Sequence, residues 1–212
     1  MFKTIPEKAA EILIDLKCIN FSPKKQFKLT SGKKSPVYCD CRRIISFPEE
    51  REKLIDFGIS KLKEKPKFKK ISNIAGGESA GIPFAAFIAQ KLNLPMTYIR
   101  KEKKKFGKNS QIEGLLNQKD NVLLAEDLMT DGGSKLKFLD AIEKLGANVS
   151  GIFVIFNYGI IKDYYLFKKK KIDVISLTNW SHVLNVASRK KILKNDEVKI
   201  VESFLEKMKV KS

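Results

Sequence analysis

The sequence predicts an α/β fold: a mostly parallel central sheet flanked by helices, with a small cap contributed by the N-terminal segment and the C-terminal helices. Three observations carry this expectation. Short apolar runs, Asn121-Val122-Leu123-Leu124-Ala125 and Val149 to Phe156 among them, read as strands buried on both faces, and segments of helical period lie between them. Glycine-rich turns follow two of the strands, at the carboxyl ends where such sheets bind ligands. No repeat or linker divides the 212 residues, so 1–212 reads as a single domain, with about residues 1–45 contributing to the cap.

The elements follow in order. Thr4-Ile5-Pro6-Glu7 is a capping box with proline inside the first turn, and Ala9, Leu13 and Leu16 form the apolar face of the helix behind it. A lysine-rich loop leads to a short strand, Ser35-Pro36-Val37-Tyr38-Cys39. Phe47-Pro48-Glu49-Glu50 opens a second helix carrying Leu54, Ile55, Ile59 and Leu62. Alternation then sets in: a strand at Ile71 to Ala75, a turn at Gly76 to Gly81, a helix from Ile82 to Leu92 and a strand at Met96 to Ile99. Residues 101–117 are polar, basic and aperiodic, and read as a long loop. Strand 121–125, a helix from Ser134 to Leu145, and strands at Val149 to Phe156 and Ile172 to Leu177 complete the sheet.

Composition narrows the function. No apolar stretch approaches the roughly 20 residues that cross a bilayer, and the first residues lack a signal-peptide core, so a cytoplasmic protein with no membrane partner is expected. Three cysteines, Cys18, Cys39 and Cys41, form no disulfide framework. Cys39-Asp40-Cys41 has no histidine or second cysteine pair beside it, so no protein metal site is expected. The net charge of +18 raises nucleic acid as a partner. Its excess is almost entirely lysine, spread along the chain without a helix-turn-helix or similar module, so no nucleic-acid function is expected.

The chemistry concentrates in Val122-Leu123-Leu124-Ala125-Glu126-Asp127-Leu128-Met129-Thr130-Asp131-Gly132-Gly133-Ser134. A buried strand ends in two carboxylates, and a loop of small residues then enters a helix. Small residues let backbone N–H groups close around a phosphate, and the helix N-terminus adds a favourable dipole. Two carboxylates beside a phosphate cradle repel it unless they meet hydroxyls or a cation. A ribose diol joined to a magnesium-bound pyrophosphate meets that condition.

This segment resembles the phosphoribosyl pyrophosphate (PRPP) motif of type I phosphoribosyltransferases, and three further stretches resemble the orotate phosphoribosyltransferase family in particular. They are Leu29-Thr30-Ser31-Gly32-Lys33-Lys34-Ser35-Pro36-Val37-Tyr38, Gly76-Gly77-Glu78-Ser79-Ala80-Gly81-Ile82-Pro83, and Arg100-Lys101-Glu102-Lys103-Lys104-Lys105-Phe106-Gly107 with Gln111-Ile112-Glu113-Gly114 behind it. They stand in the family's order. The resemblance implies a type I phosphoribosyltransferase-like fold and an enzyme that joins the ribose 5-phosphate of PRPP to orotate in pyrimidine synthesis. The alternatives are transfer to another nucleobase, or a PRPP-sensing regulator without catalysis.

Residue roles come with the resemblance. PRPP would be held by Arg100, Lys101, Lys104, Glu126, Asp127, Leu128, Met129, Thr130, Asp131, Gly132, Gly133 and Ser134. Lys104 and Asp127 would be the catalytic residues. Orotate would meet Thr130, Tyr38 and Cys39. Mg²⁺ would be bound mainly through PRPP, and Arg100 with the basic loop would be shared across a homodimer. The chain departs from the family's pattern at three positions: Phe106 replaces a loop histidine, Tyr158 stands near the usual orotate arginine, and Thr30 replaces a lysine. A cation for the orotate carboxylate is then expected from Lys33, Lys34, Arg42 or Arg43.

Overall fold

The computed structural model describes residues 3–29, 32–102, 111–130, 132–159 and 167–210. Ten strands and six α-helices are described there. The strands are β1 (Ile19–Phe21), β2 (Phe27–Lys28), β3 (Lys34–Ser35), β4 (Val37–Cys39), β5 (Asn73–Gly77), β6 (Met96–Ile99), β7 (Ile112–Glu113), β8 (Asn121–Met129), β9 (Asn148–Asn157) and β10 (Val174–Asn179). The helices are α1 (Ile5–Asp15), α2 (Pro48–Lys63), α3 (Gly81–Leu92), α4 (Gly133–Lys144), α5 (Trp180–Arg189) and α6 (Asn195–Val210).

Six strands form the central sheet in the order β10-β9-β8-β5-β6-β7. All neighbours run parallel except β6 and β7. The expected mostly parallel sheet is therefore present. Its strands are apolar on both faces because both faces are covered. On one side Leu123, Ala125, Phe153 and Ile155 meet α1, α2, α3, α5 and α6. On the other Val122, Leu124, Ile152 and Val154 meet Phe138, Leu139 and Ile142 of α4, together with Phe167 and Ile172.

The sequence-level boundaries shift in instructive places. β7 lies within the expected loop, two residues paired with Tyr98 and Ile99. Its one buried apolar side chain, Ile112, is too little for periodicity to register. β8 continues four residues past Ala125, because Glu126, Leu128 and Met129 pair with Val154, Phe156 and Asn157 of β9. β5 takes in Gly76 and Gly77, which had read as turn, by pairing with Tyr98 and Ile99.

The expected first helix is present, but the expected lysine-rich loop holds β1 and β2, and the strand expected at 35–39 is divided between β3 and β4. The Thr4 N–H donates to Glu7 Oε2 at 2.9 Å, closing the capping box. α1 packs on α5 and β10. Ion pairs secure it at both ends, Arg189 to Glu7 at 3.1 Å and Lys190 to Asp15 at 2.6 Å. β1 and β4 form an antiparallel pair, β2 and β3 another. A 3-10 helix, Cys41–Ser46, joins β4 to α2 and packs against β8. No helix among the described residues is long and apolar enough to cross a membrane.

Candidate active site

The extension of β8 decides how its two carboxylates are used. Strand residues alternate between faces. Glu126 continues the row of Val122 and Leu124 and points toward α4; Asp127 continues the row of Leu123 and Ala125 and points toward the 3-10 helix. The two acids thus face opposite sides of one strand end and do not form a single acidic edge.

Glu126 is 4% exposed. Its Oε2 lies 3.2 Å from Lys135 Nζ, and its buried Oε1 has no hydrogen-bond partner. The backbone of the glycine turn passes directly over it. A Cβ placed on Gly77 would lie 1.8 Å from Glu126 Oε1 and 2.3 Å from the Phe138 ring; one on Gly81 would lie 2.6 Å from the Ala125 carbonyl. The glycines of 76–81 are therefore required by what lies beneath the turn. Burial raises the Glu126 carboxyl to about 7, with Lys135 opposing and Asp127 adding to the rise. Gly77→Ala should cost about 1–3 kcal/mol, the usual penalty of overpacking, in chemical denaturation. A loss below about 0.5 kcal/mol would show that Glu126 and Phe138 yield freely.

Asp127 is also buried, and its Oδ1 accepts from the Leu128 N–H at 2.8 Å. Burial raises its carboxyl, against Lys135 and then the backbone and Arg42. Beyond it, Met129 buries its side chain in the core, and its carbonyl accepts from the Tyr158 N–H at 2.9 Å. Leu128 packs against the opposite cluster. The side chains of these two residues pack against neighbours within the fold.

That loop reaches α4 through Gly132, whose φ of 69° is the left-handed conformation glycine adopts without strain. As N-cap it brings no side chain to the first turn. Gly133 and Ser134 are exposed there and line a cleft of about 450 Å³ with Lys101, Glu102, Lys137 and Phe138. The helix start, two small residues, two lysines and the Glu102 carboxylate thus share one cleft. The Lys101 N–H donates to Glu78 Oε2 at 2.8 Å, joining the basic segment to the glycine turn. Arg100 turns toward the sheet edge, its Nη1 3.6 Å from Glu113 Oε1. Lys104, Phe106, Thr30 and Asp131 lie outside the described residues.

On the Asp127 side, β4 offers an open edge. Asp40 N–H donates to the Cys18 carbonyl and Ser22 N–H to that of Pro36. Antiparallel pairs alternate, so the Asn20–Tyr38 pair between them is hydrogen-bonded as well, and the Cys39 N–H points outward. Of the two residues of this strand expected to meet orotate, Cys39 alone has a backbone N–H facing away from the ladder. The Tyr38 ring is 41% exposed and packs 6.1 Å from Phe27. Tyr158 sits behind this strand, edge-on to Phe156 and Trp180. Burial, with Cys39 and Cys41 nearby, pushes its phenol well above the ordinary range, so it stays neutral.

Of the four cations expected near the base, Arg42 feels both Asp127 and Tyr38, and its Nε pairs with Asp40 Oδ1 at 2.7 Å. Arg43 turns away, donating to the Leu16 carbonyl at 3.1 Å. Sequence reasoning missed Lys135. A signal existed: Lys135 interrupts the apolar stripe of Phe138, Leu139 and Ile142, at the spacing that faces the core.

Known proteins resemble this chain over most of its length. The phosphoribosyl transferase domain family matches residues 48–187. The orotate phosphoribosyltransferase of Rhizobium rhizogenes is 43% identical over 200 residues, 94% of this chain and 86% of that protein. That of Cereibacter sphaeroides is 44% identical over 197 residues, 92% and 85% of the two chains. Among solved structures, Leishmania donovani UMP synthase superposes with a TM-score of 0.80 at 25% identity, covering 97% of this chain and 43% of the other. Orotate phosphoribosyltransferase from Aeropyrum pernix shares the fold, with a TM-score of 0.72 at 24% identity over 87% and 99%.

Proposed function

This chain belongs to the phosphoribosyl transferase domain family, among its orotate phosphoribosyltransferases, and from that premise we infer that it transfers the ribose 5-phosphate of PRPP to orotate. The products are orotidine 5-monophosphate and pyrophosphate, a step of pyrimidine synthesis. The observation that carries the reading is the end of β8: two buried carboxylates, then a small-residue loop opening α4 into a basic cleft.

Cleaving the anomeric carbon–oxygen bond builds positive charge on ribose and negative charge on pyrophosphate. In this reading Thr130, Asp131, Gly132, Gly133 and Ser134 wrap the 5-phosphate with backbone N–H groups and the start of α4. Glu126 and Asp127 accept from the ribose hydroxyls, and Asp127 faces the forming cation. Lys101 and Lys104 draw the pyrophosphate away, where a preorganised cation acts most strongly on the charge that develops in the transition state. Among the described residues no group of three or more His, Cys, Asp or Glu side chains is placed to hold a metal. A Mg²⁺ carried by the oxygens of PRPP would neutralise the leaving group. Arg100 and the basic loop serve a second copy of the chain in a cytoplasmic homodimer.

Orotate is the charged base. Its carboxylate must meet donors in the site or lose several kcal/mol. The Cys39 N–H, Thr130 and the Arg42 guanidinium are the donors assigned to it, with neutral Tyr158 behind β4. Arg42→Gln should raise KM for orotate roughly tenfold, the magnitude of a partly exposed charged hydrogen bond, and leave any slow reaction with uracil unchanged.

The experiment for the function incubates the protein with PRPP, Mg²⁺ and a panel of bases and follows base consumption. Orotate is expected to react fastest. Uracil reacting equally well would move the reading to another base. PRPP binding without turnover of any base would make the chain a sensor.

A further inference from the structure

Lys135 is the third residue of α4, in the turn where the helix dipole disfavours a cation. It is 8% exposed, on the face that Phe138, Leu139 and Ile142 turn to the core. Both its position and its burial argue against lysine. One neighbour argues for it: the Glu126 carboxylate, 3.2 Å away and itself buried. Glu126 in turn lies beneath Gly77 and Gly81, pressed so closely that neither could carry a methyl group. The lysine, the acid and the glycine turn form one stack, running from the start of α4 to the start of α3.

We propose that Lys135 is a positioning residue: it keeps Glu126 ionised and directed at the glycine turn, and so sets the affinity for PRPP. The proposal rests on the reading above, in which PRPP occupies this end of the sheet. The charged groups facing Glu126 are Lys135 from α4, Asp127 from its own strand and Lys101 beyond β6. Gly77 of β5 and Gly81 of α3 add none. Burial already brings the Glu126 carboxyl to about 7 with Lys135 present, so the ionised form is held against a strong opposing pull. Without the lysine, Glu126 takes up a proton at neutral pH. That neutralises the buried site and lets the variant fold, but it removes the charged acceptor that ribose hydroxyls require.

The sign follows. A raised carboxyl is ionised only above its shifted value, so PRPP affinity is full at high pH and falls as pH drops through that value. Loss of Lys135 moves the fall upward. The test is PRPP binding by calorimetry, with Mg²⁺, between pH 6 and 9, for the parent, Lys135→Met and Lys135→Arg. Ionisations of PRPP itself contribute equally to all three. At pH 7 Lys135→Met should bind about fivefold more weakly, because a shift of about one pH unit from about 7 takes the ionised fraction from about a half to about a tenth. By pH 9 it should return to within about twofold of the parent, and Lys135→Arg should follow the parent throughout. A Lys135→Met loss equal at every pH, or no loss, would overturn the proposal, because a purely structural lysine gives no recovery in alkali. A parent that binds no PRPP would sink the proposed function instead, which keeps the two failures apart.

Discussion

Asp127→Asn combined with Glu126→Gln is expected to weaken PRPP binding by on the order of 10²- to 10⁴-fold. Each substitution replaces a charged acceptor by a neutral one of the same shape, and hydrogen bonds to charged groups contribute about 1.5–3 kcal/mol each. The two halves differ in side effects. Asp127→Asn leaves the Lys135–Glu126 pair intact, so its fold should be undisturbed. Glu126→Gln strands a buried ammonium, and breaking such a pair costs about 3–5 kcal/mol. A lower melting temperature should therefore accompany the double variant and not Asp127→Asn alone. Calorimetry with Mg²⁺ and PRPP measures the binding. Affinity equal to the parent's in Asp127→Asn and the double variant alike would remove the end of β8 from the PRPP site.

Lys104→Ala should lower turnover by on the order of 10²-fold and change PRPP affinity far less, because in the proposed mechanism its charge acts on the departing pyrophosphate. Steady-state kinetics separate the two effects. Unchanged turnover would transfer the role to Lys101, Lys103 or Lys105. The same variant tests the homodimer. Mixed with Asp127→Asn, it should regain activity, since one site of each mixed dimer would have both groups intact. No recovery after verified subunit exchange would mean that each chain completes its own site.

Much of the fold was legible because burial on both faces leaves a plain mark. The apolar runs at 121–125 and 149–156 are the first half of β8 and nearly all of β9. What escaped depended on partners far along the chain. Glu126 and Asp127 are poor strand formers, and only pairing with Val154 to Asn157 keeps them in β8. Alternation then sends them to opposite faces, which adjacency in sequence does not convey. At β4 the residues Tyr38 and Cys39 were identifiable, but which N–H faces outward follows from the register with Asn20. Among the four cations, Arg42 and Arg43 differ by one position, and the turn of a 3-10 helix separates them. Lys135 was passed over because lysine in a chain of net charge +18 reads as solvated surface. Its spacing relative to Phe138 and Leu139 held the contrary signal.

The packing of α1 on β10 and α5 sets a constraint on biosynthesis. Residues 5–15 emerge from the ribosome long before residues 174–189, which supply their partners. At about 5–20 residues per second the delay is roughly 10–30 s, and throughout it Ala9, Ala10, Leu13 and Ile14 have only part of their packing, from β1 and α2. The nascent chain must carry this greasy stripe through most of translation, an invitation to hydrophobic-binding chaperones.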